Sequence, residues 1–317
     1  MRILISTPRL GGSGGIERHV ASTIACLGAH HEIDVYASQV SDTGYAARPV
    51  RGQVLPEWRT SDKVRRRLFG PRRPRYDAYL HYQHALNVQH RYAVGVRMVI
   101  PCGDEVRQYE HLFDAVLLEA PDNARHLDDQ SKAVLLPPPL DVPADHSEAV
   151  AGAPDEFFLT IFNPHHPRKG LADMLAVAPK SPIPIVWCRS ALYGVDHAVN
   201  ELEGIIELQD LDQAELRFLY ERCRAYLCFD HNQGFGWSLA DALQYGAPTL
   251  SRGRGVMSIP GLDTTGCAIF ATNDELVELL QRDDYTRVHR DVGDMAPERF
   301  VERFEALVRV LQVARPR

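Results

Sequence analysis

Short apolar runs alternate with helical segments along the whole chain of 317 residues, and they do so in two successive series. The first series contains the strand-like runs 2–7, 32–38, 76–82, 96–101, 115–120 and 133–139. The second series contains 157–163, 184–188, 204–209, 225–229 and 247–251. Strands that alternate with helices are typical of parallel sheets covered by helices on both faces.

The composition between the two series changes to proline, alanine and aspartate over Pro137–Pro154, as in a linker. We therefore expect an α/β fold with two doubly wound, Rossmann-like domains facing each other across a cleft, residues 1–142 and 143–296. A final helix over about 297–313 has one apolar side, with Phe300, Phe304 and Leu311 among its residues. That side must pack against another element.

Three features of the composition restrict the class of protein. No stretch reaches the roughly 18 consecutive apolar residues of a membrane span. The first residues, MRILISTPRLGG, contain no apolar h-region followed by a small-residue cleavage site, so secretion is not expected. The six cysteines include no CxxC pair, which favours reduced thiols over a disulfide framework or a zinc site. A cytoplasmic protein is expected.

The net charge of −7 conceals a basic segment, Arg48–Arg75, in which ten lysines and arginines face only Glu57 and Asp62. Two interpretations stay open for this segment: a solvated surface, or a seat for an anionic acceptor or for a phospholipid surface. The second would allow peripheral contact with the inner face of a membrane. Nucleic acid is not expected as a partner, because stacking aromatics are not interleaved with the charges.

A glycine-rich loop, GGSGG at 11–15, precedes the first helix. Glycines allow backbone amides to approach a phosphate or a sugar closely, and a helix N-terminus favours an anion. The loop matches neither GxxxxGK[ST] nor GxGxxG, so a simple tight turn stays an equal alternative.

Arg168 and Lys169 lie directly before a second helix, within NPHHPRKGLADML (163–175). Two cations at a helix start oppose the helix dipole, and a bound anion would offset that cost. The alternative is a solvated basic turn. His165 and His166 lack further ligands at metal spacing, so a metal site is not predicted.

The segment 230–251 follows the run AYLCF, and within it QGFG opens a helix that Gly246 and Pro248 end. The amides of Gly234, Phe235 and Gly236 would form a seat for a diphosphate at the helix start. Asp241, two turns into the helix, would accept hydrogen bonds from ribose hydroxyls.

QGFGWSLADALQYGAP resembles, with identical spacing, the signature E-G-F-G-x-x-x-x-E-A-x-x-x-G-x-P of retaining GT-B glycosyltransferases of family four. The resemblance extends to the Gly-Gly loop and to Lys169-Gly170. It implies an acceptor-side domain 1–142, a nucleotide-sugar domain 143–296 and a last helix, 297–317, that returns to the first domain. It also implies transfer of a sugar from a nucleoside-diphosphate sugar to an acceptor hydroxyl, with retention of configuration. No cofactor is implied, and no metal is strictly required.

The resemblance assigns roles by position. Gln233 stands where the family has a glutamate on the donor sugar, and Asp241 where it has a glutamate on ribose. Lys169 matches the family lysine on the diphosphate, with Arg168 beside it. Gly14 and Gly15 match the loop at the donor phosphate and the acceptor. The candidate donor-binding residues also include Asn163, Gly234, Phe235 and Gly236.

The chain also departs from the family. Pro164 stands where the family often has an arginine, and Cys102-Gly103-Asp104 where it often has a histidine. Asp104 is therefore a candidate, and His81 and His84 are alternative active-site residues, although core or surface histidines would look the same in sequence.

Gln233 offers hydrogen-bond donors as well as an acceptor, which predicts a deoxy or amino sugar as donor rather than glucose. The acceptor would be a glycan, a lipid-linked sugar or a small molecule, in the synthesis of a glycan, a glycolipid or a glycosylated natural product. Two other functions stay open: a nucleotide-binding protein of the same fold without transfer, and another GT-B enzyme such as a sugar-nucleotide epimerase or a phosphorylase.

Overall fold

The chain forms two compact units in a computed structural model, one of Met1–Asp141 with Gly293–Arg317 and one of Val142–Val292. The structure describes residues 1–12, 14–44, 52–55, 75–85, 87–89, 92–101, 104–140, 146–164, 167–191, 203–231, 234–290 and 293–314. Most of the basic segment Arg48–Arg75 lies outside these ranges, as do Cys102, Gly103, His165, His166 and Gln233.

The first unit contains a parallel sheet of six strands in the order β2-β1-β3-β4-β5-β6. Its strands are β1 (Arg2–Gly12), β2 (Glu32–Gly44), β3 (Arg75–Tyr82), β4 (Ala93–Ile100), β5 (Ala115–Leu118) and β6 (Ala133–Leu135). Ile3, Leu4 and Ile5 are completely buried, because helices or loops cover both faces of the sheet. Such strands are apolar without alternation, which is why they stand out in the sequence.

Two helices cover one face of this sheet, α1 (Gly15–Gly28) and the last helix of the chain, named α6 below (Pro297–Ala314). Val20 and Ile24 of α1 share one apolar core with Phe304 and Val308 of α6. The Cys26 Sγ, on α1, also lies 3.0 Å from the carbonyl oxygen of Pro297. The C-terminal helix is thus part of the core of the first unit.

The second unit also contains a parallel six-stranded sheet, in the order β12-β11-β10-β7-β8-β9. Its strands are β7 (Phe158–Ile161), β8 (Ile185–Arg189), β9 (Ile205–Gln209), β10 (Tyr226–Leu227), β11 (Thr249–Ser251) and β12 (Cys267–Ile269). Its helices are α2 (Leu171–Val177), α3 (Gln213–Arg222), α4 (Trp237–Gln244) and α5 (Asn273–Leu280). The predicted α/β class with two Rossmann-like domains is confirmed.

Each sheet has one point at which the strand order reverses. In the first unit β1 lies between β2 and β3, and in the second unit β7 lies between β8 and β10. Doubly wound sheets bind ligands at the carboxyl ends of the strands at such a switch point. A ligand-binding site is therefore expected in the segments that follow β1, β3, β7 and β10.

The first strand is longer than its sequence suggests. The apolar run 2–7 and the glycine loop 11–15 predict an end of the strand near Thr7, whereas β1 continues to Gly12 and pairs with β2 as far as Gly44. The pairing shifts register after Leu10, where Gly11 and Gly12 adopt positive φ of 85° and 104°. Within the described ranges no helix has both the length and the apolar character needed to cross a membrane.

Candidate functional site

The loops after β7 and β10 meet at the switch point of the second unit. The Lys169 Nζ lies 2.5 Å from the Asp230 Oδ2. The Asp230 side chain is only 8% exposed, whereas the Lys169 side chain is 42% exposed. The lysine that the sequence assigns to a diphosphate is therefore accessible to solvent, while its ammonium contacts a buried carboxylate.

A backbone hydrogen bond and a contact between an imidazole and a carboxylate connect the same two loops. The His231 amide donates to the Arg168 carbonyl over 2.9 Å, and the His231 imidazole contacts Asp173 in the first turn of α2. Asn273 donates to the other oxygen of Asp173 over 2.9 Å. Burial raises the pKa of Asp173, but the hydrogen bonds from His231 and Asn273 outweigh it and leave that pKa below its usual value.

Gly170 allows the turn after Lys169 to pass close to the end of β10. Its φ is +84°, and a Cβ at this position would lie 2.4 Å from the Cβ of Phe229. A side chain is excluded by the contact and strained by the backbone conformation. The position of Lys169 beside Asp230 thus depends on the glycine that follows it.

The signature segment lies beside these loops at the start of α4. Gly236 takes the N-cap position with φ of 87°, and the Phe235 carbonyl accepts a hydrogen bond from the Val256 amide over 2.8 Å. Phe235 is buried, whereas Gly234 is exposed. The helix is anchored to the sheet through Ser238, whose Oγ lies 2.7 Å from the Tyr226 hydroxyl. The first turn of α4 is thus fixed at the carboxyl end of β10.

Asp241 and Asn163 occupy different environments. Asp241 lies on α4 and is 6% exposed. The Asn163 Oδ1 accepts a hydrogen bond from the Ser190 amide over 3.1 Å, which connects the loops after β7 and β8. Arg168 is exposed. Gln233, the position assigned to the donor sugar, lies outside the part of the chain that the structure describes.

Glycines surround the start of α1 in the first unit, at the switch point between β1 and β3. Gly14 is the N-cap of α1 in an extended conformation, and Gly15 is the first helical residue. A Cβ on Gly11 would lie 2.1 Å from the Ser41 carbonyl oxygen, so close packing against β2 requires this glycine. The glycine loop therefore has a packing role in addition to the binding role expected from its sequence.

His81 is buried in a polar cluster at the end of β3. Its Nδ1 and the Tyr79 hydroxyl each lie 2.8 Å from the Ser6 Oγ on β1. Its ring stacks on Phe113 with centroids 5.3 Å apart. Burial lowers the pKa of His81 to about 4, so the imidazole is neutral at pH 7.

Protonation of His81 is expected to destabilise the first unit in acid. Because the pKa of His81 falls from 6.5 to about 4 on folding, the unfolded chain binds more protons between these values. The contribution of neutral His81 to the free energy of unfolding is fully present above pH 6.5. It decreases as the pH falls towards 4, by about 2 to 3 kcal/mol at pH 4.5. Urea unfolding at pH 7 and 4.5 measures it. His81→Gln should reduce the difference, and an equal pH dependence in the variant would contradict this account.

The other candidates of the first unit lie on its surface. His84 has a positive φ of 71°, and its Nδ1 lies 3.3 Å from the Glu105 Oε2. Asp104 is next to Glu105 in sequence and accepts a hydrogen bond from the His126 Nδ1 over 2.5 Å. That hydrogen bond lowers the pKa of Asp104. A cluster of charged loop residues thus surrounds Asp104.

Two acid–base pairs were missed by the sequence analysis. One is Lys169 with Asp230. The other joins the buried His19 of α1 to Glu119 directly after β5, with 2.7 Å between Nδ1 and Oε1. Each acid follows a buried strand run at its carboxyl end, which is the only signal in the sequence. The partner cannot be chosen without the strand order.

No family model and no curated protein matches the sequence. Solved structures do match the fold over nearly the whole chain. AviGT4, a glycosyltransferase involved in avilamycin A biosynthesis, has a TM-score of 0.63 at 16% identity, with 99% of this chain and 98% of that chain covered. Sucrose-phosphate synthase from Thermosynechococcus elongatus has 0.62 at 14% identity, with 99% of each chain covered.

Anabaena HepE, solved in complex with UDP-glucose, has a TM-score of 0.62 at 12% identity. The similarity covers 99% of this chain and 100% of that chain. In all three cases the similarity covers both six-stranded sheets of this chain. The chain therefore has the GT-B fold of these proteins, as the resemblance of its signature segment predicts.

Proposed function

We propose that this protein is a retaining glycosyltransferase that moves a sugar from a nucleoside-diphosphate sugar to an acceptor hydroxyl. The observation that carries the proposal is the position of Lys169 and of the signature segment 234–241. Both lie at the switch point of the second sheet, where doubly wound sheets bind nucleotides. The resemblance to GT-B glycosyltransferases supports the same reaction.

The proposed roles follow from charge and position. Lys169 and Arg168 neutralise the diphosphate as it leaves, together with the amides at Gly234, Phe235 and Gly236. Asp241 accepts hydrogen bonds from ribose. These groups make a metal unnecessary, and the departing phosphate itself takes the proton of the acceptor. Gln233 would recognise the sugar and favour a deoxy or amino sugar.

We assign the acceptor to the first unit, at the carboxyl ends of β1 and β3. Gly14 and Gly15 would approach the acceptor, and His84 and Asp104 are exposed at the same edge of the sheet. A buried, neutral His81 suits a structural role better than proton transfer. We further propose a cytoplasmic location and contact of the basic segment Arg48–Arg75 with an anionic membrane.

A second candidate is a nucleotide-binding protein of this fold without transfer. Pro164 in place of an arginine, and Gln233 and Asp241 in place of two glutamates, favour it. Release of a nucleoside diphosphate by the purified protein, with acceptor or with water, would exclude this candidate. Binding of a nucleotide sugar without any turnover would support it.

Asp241→Asn is expected to weaken nucleotide binding about 10- to 100-fold, because hydrogen bonds to a charged acceptor contribute about 1.5 to 3 kcal/mol. Thermal shifts with UDP, GDP, dTDP and ADP and their glucose conjugates identify the ligand, since binding raises the unfolding temperature. UDP-glucose is the first to test, given the HepE complex.

Asp274→Asn is the matched control for Asp241→Asn, because the Asp274 side chain on α5 is 91% exposed. It should bind like the unmodified protein. Equal affinities in both variants would contradict the assignment of Asp241. UDP-glucose as the best of a wide panel of donors would contradict the expected preference for a deoxy or amino sugar.

A further inference from the structure

The ion pair at the switch point carries an inference that rests on the proposed function and extends it. Asp230 is almost buried, and its carboxylate lies 2.5 Å from the ammonium of Lys169. Separating the ammonium from a nearly buried carboxylate is unfavourable, because the buried charge would lose a compensating partner. Lys169 therefore stays on Asp230 when an anion arrives and uses its remaining N–H donors for the ligand.

Asp230 also places a negative charge next to the proposed diphosphate site at Arg168 and Lys169. It offsets part of the charge of Lys169, so a bound diphosphate experiences less attraction than the two adjacent cations, Arg168 and Lys169, would provide alone. The repulsion grows with the charge of the ligand. A nucleotide sugar carries about two negative charges on its diphosphate, whereas the free nucleoside diphosphate carries nearly three at pH 7.5, because its terminal phosphate has a second pKa of about 6.

We propose that Asp230 lowers the affinity of the diphosphate site beside Lys169 for the product of the reaction. Its carboxylate weakens binding of the free nucleoside diphosphate more than binding of the nucleotide sugar, and so favours release of the product and entry of a new donor. It does so without contacting the reacting atoms, through its charge and its hold on Lys169.

Asp230→Asn separates charge from shape, because the amide oxygen still accepts a hydrogen bond from Lys169. The affinity for UDP is expected to increase about three- to tenfold, as expected for one unit charge removed near the ligand. The affinity for UDP-glucose should increase less, and UDP should become a stronger product inhibitor. Isothermal titration calorimetry with UDP and with UDP-glucose measures both affinities. If the protein prefers GDP, dTDP or ADP, that diphosphate and its glucose conjugate are used instead.

Glu156→Gln is the matched control. Glu156 also pairs with a cation, Arg224, 3.2 Å away, but it lies two residues before β7, at the opposite edge of the same sheet. This variant changes the net charge by the same amount and should leave both affinities unchanged. An equal gain in Glu156→Gln would assign the effect to net charge and overturn the proposal.

Asp230→Ser removes the same charge with a smaller side chain and decides the question if Asp230→Asn does not fold. Unchanged or weaker UDP binding in a folded neutral variant would show that Asp230 only supports the loop, and would overturn the proposal. Failure of the unmodified protein to bind any of the four diphosphates would instead refute the proposed function. The two failures are thus distinguishable.

Discussion

Lys169→Ala is expected to lower kcat/KM for sugar transfer by about 10²- to 10³-fold. Removal of one preorganised group that stabilises charge developing in a transition state typically has an effect of this size. In the proposed reaction the charge develops on the departing diphosphate, and the Lys169 ammonium is accessible at the switch point of the second sheet. The measurement is release of nucleoside diphosphate at saturating and at limiting donor.

Loss of Lys169 also removes the ammonium that lies beside the Asp230 carboxylate. One-sided removal of a buried pair costs about 3 to 5 kcal/mol, and less where one partner is partly exposed, as Lys169 is. Lys169→Ala combined with Asp230→Asn removes that penalty. If transfer stays low while stability recovers, the lysine acts on the reaction. If the double variant recovers transfer, the assignment of Lys169 is wrong.

Lys180→Ala provides the matched control for Lys169→Ala. Lys180 belongs to the same unit, is 59% exposed, and its Nζ lies 3.8 Å from the exposed carboxylate of Asp274. Exposed pairs of this kind contribute about 1 kcal/mol or less. Both transfer and stability should therefore match the unmodified protein.

Phe304→Ala is expected to lower the free energy of unfolding of the first unit by about 3 to 5 kcal/mol, the usual range for removal of a buried aromatic ring. Phe304 is completely buried and lies in one core with Val20 and Ile24 of α1. Val310→Ala, at a position on the same helix that is 64% exposed, should change little.

Amide hydrogen exchange locates the effect of Phe304→Ala. Protection of the β1 amides should decrease, because α6 covers the face of the sheet that contains this strand. Protection of the β8 amides, in the second unit, should stay as it is. Equal loss in both strands, or loss in β8 alone, would contradict the inclusion of α6 in the core of the first unit.

Much of the local structure was predictable because buried parallel strands are apolar on both faces. The predicted runs 115–120 and 157–163 contain the strands β5 (Ala115–Leu118) and β7 (Phe158–Ile161), and α4 begins after Gly236, as the signature spacing predicts. The expected end of β1 was wrong. Glycines indicate a turn in sequence, but the absence of a side chain at Gly11 also lets the strand continue against β2.

The site was only partly predictable, and the order of the strands explains why. Local spacing predicted the helix that begins after Lys169-Gly170 and the helix that contains Asp241, because helix starts and glycine turns involve neighbouring residues. It could not identify Asp230 as the partner of Lys169, since the two lie 61 positions apart. They meet because β10 packs beside β7 instead of beside β9. Apolar periodicity shows that a strand exists and is buried, but it contains no information on which strand lies next to it.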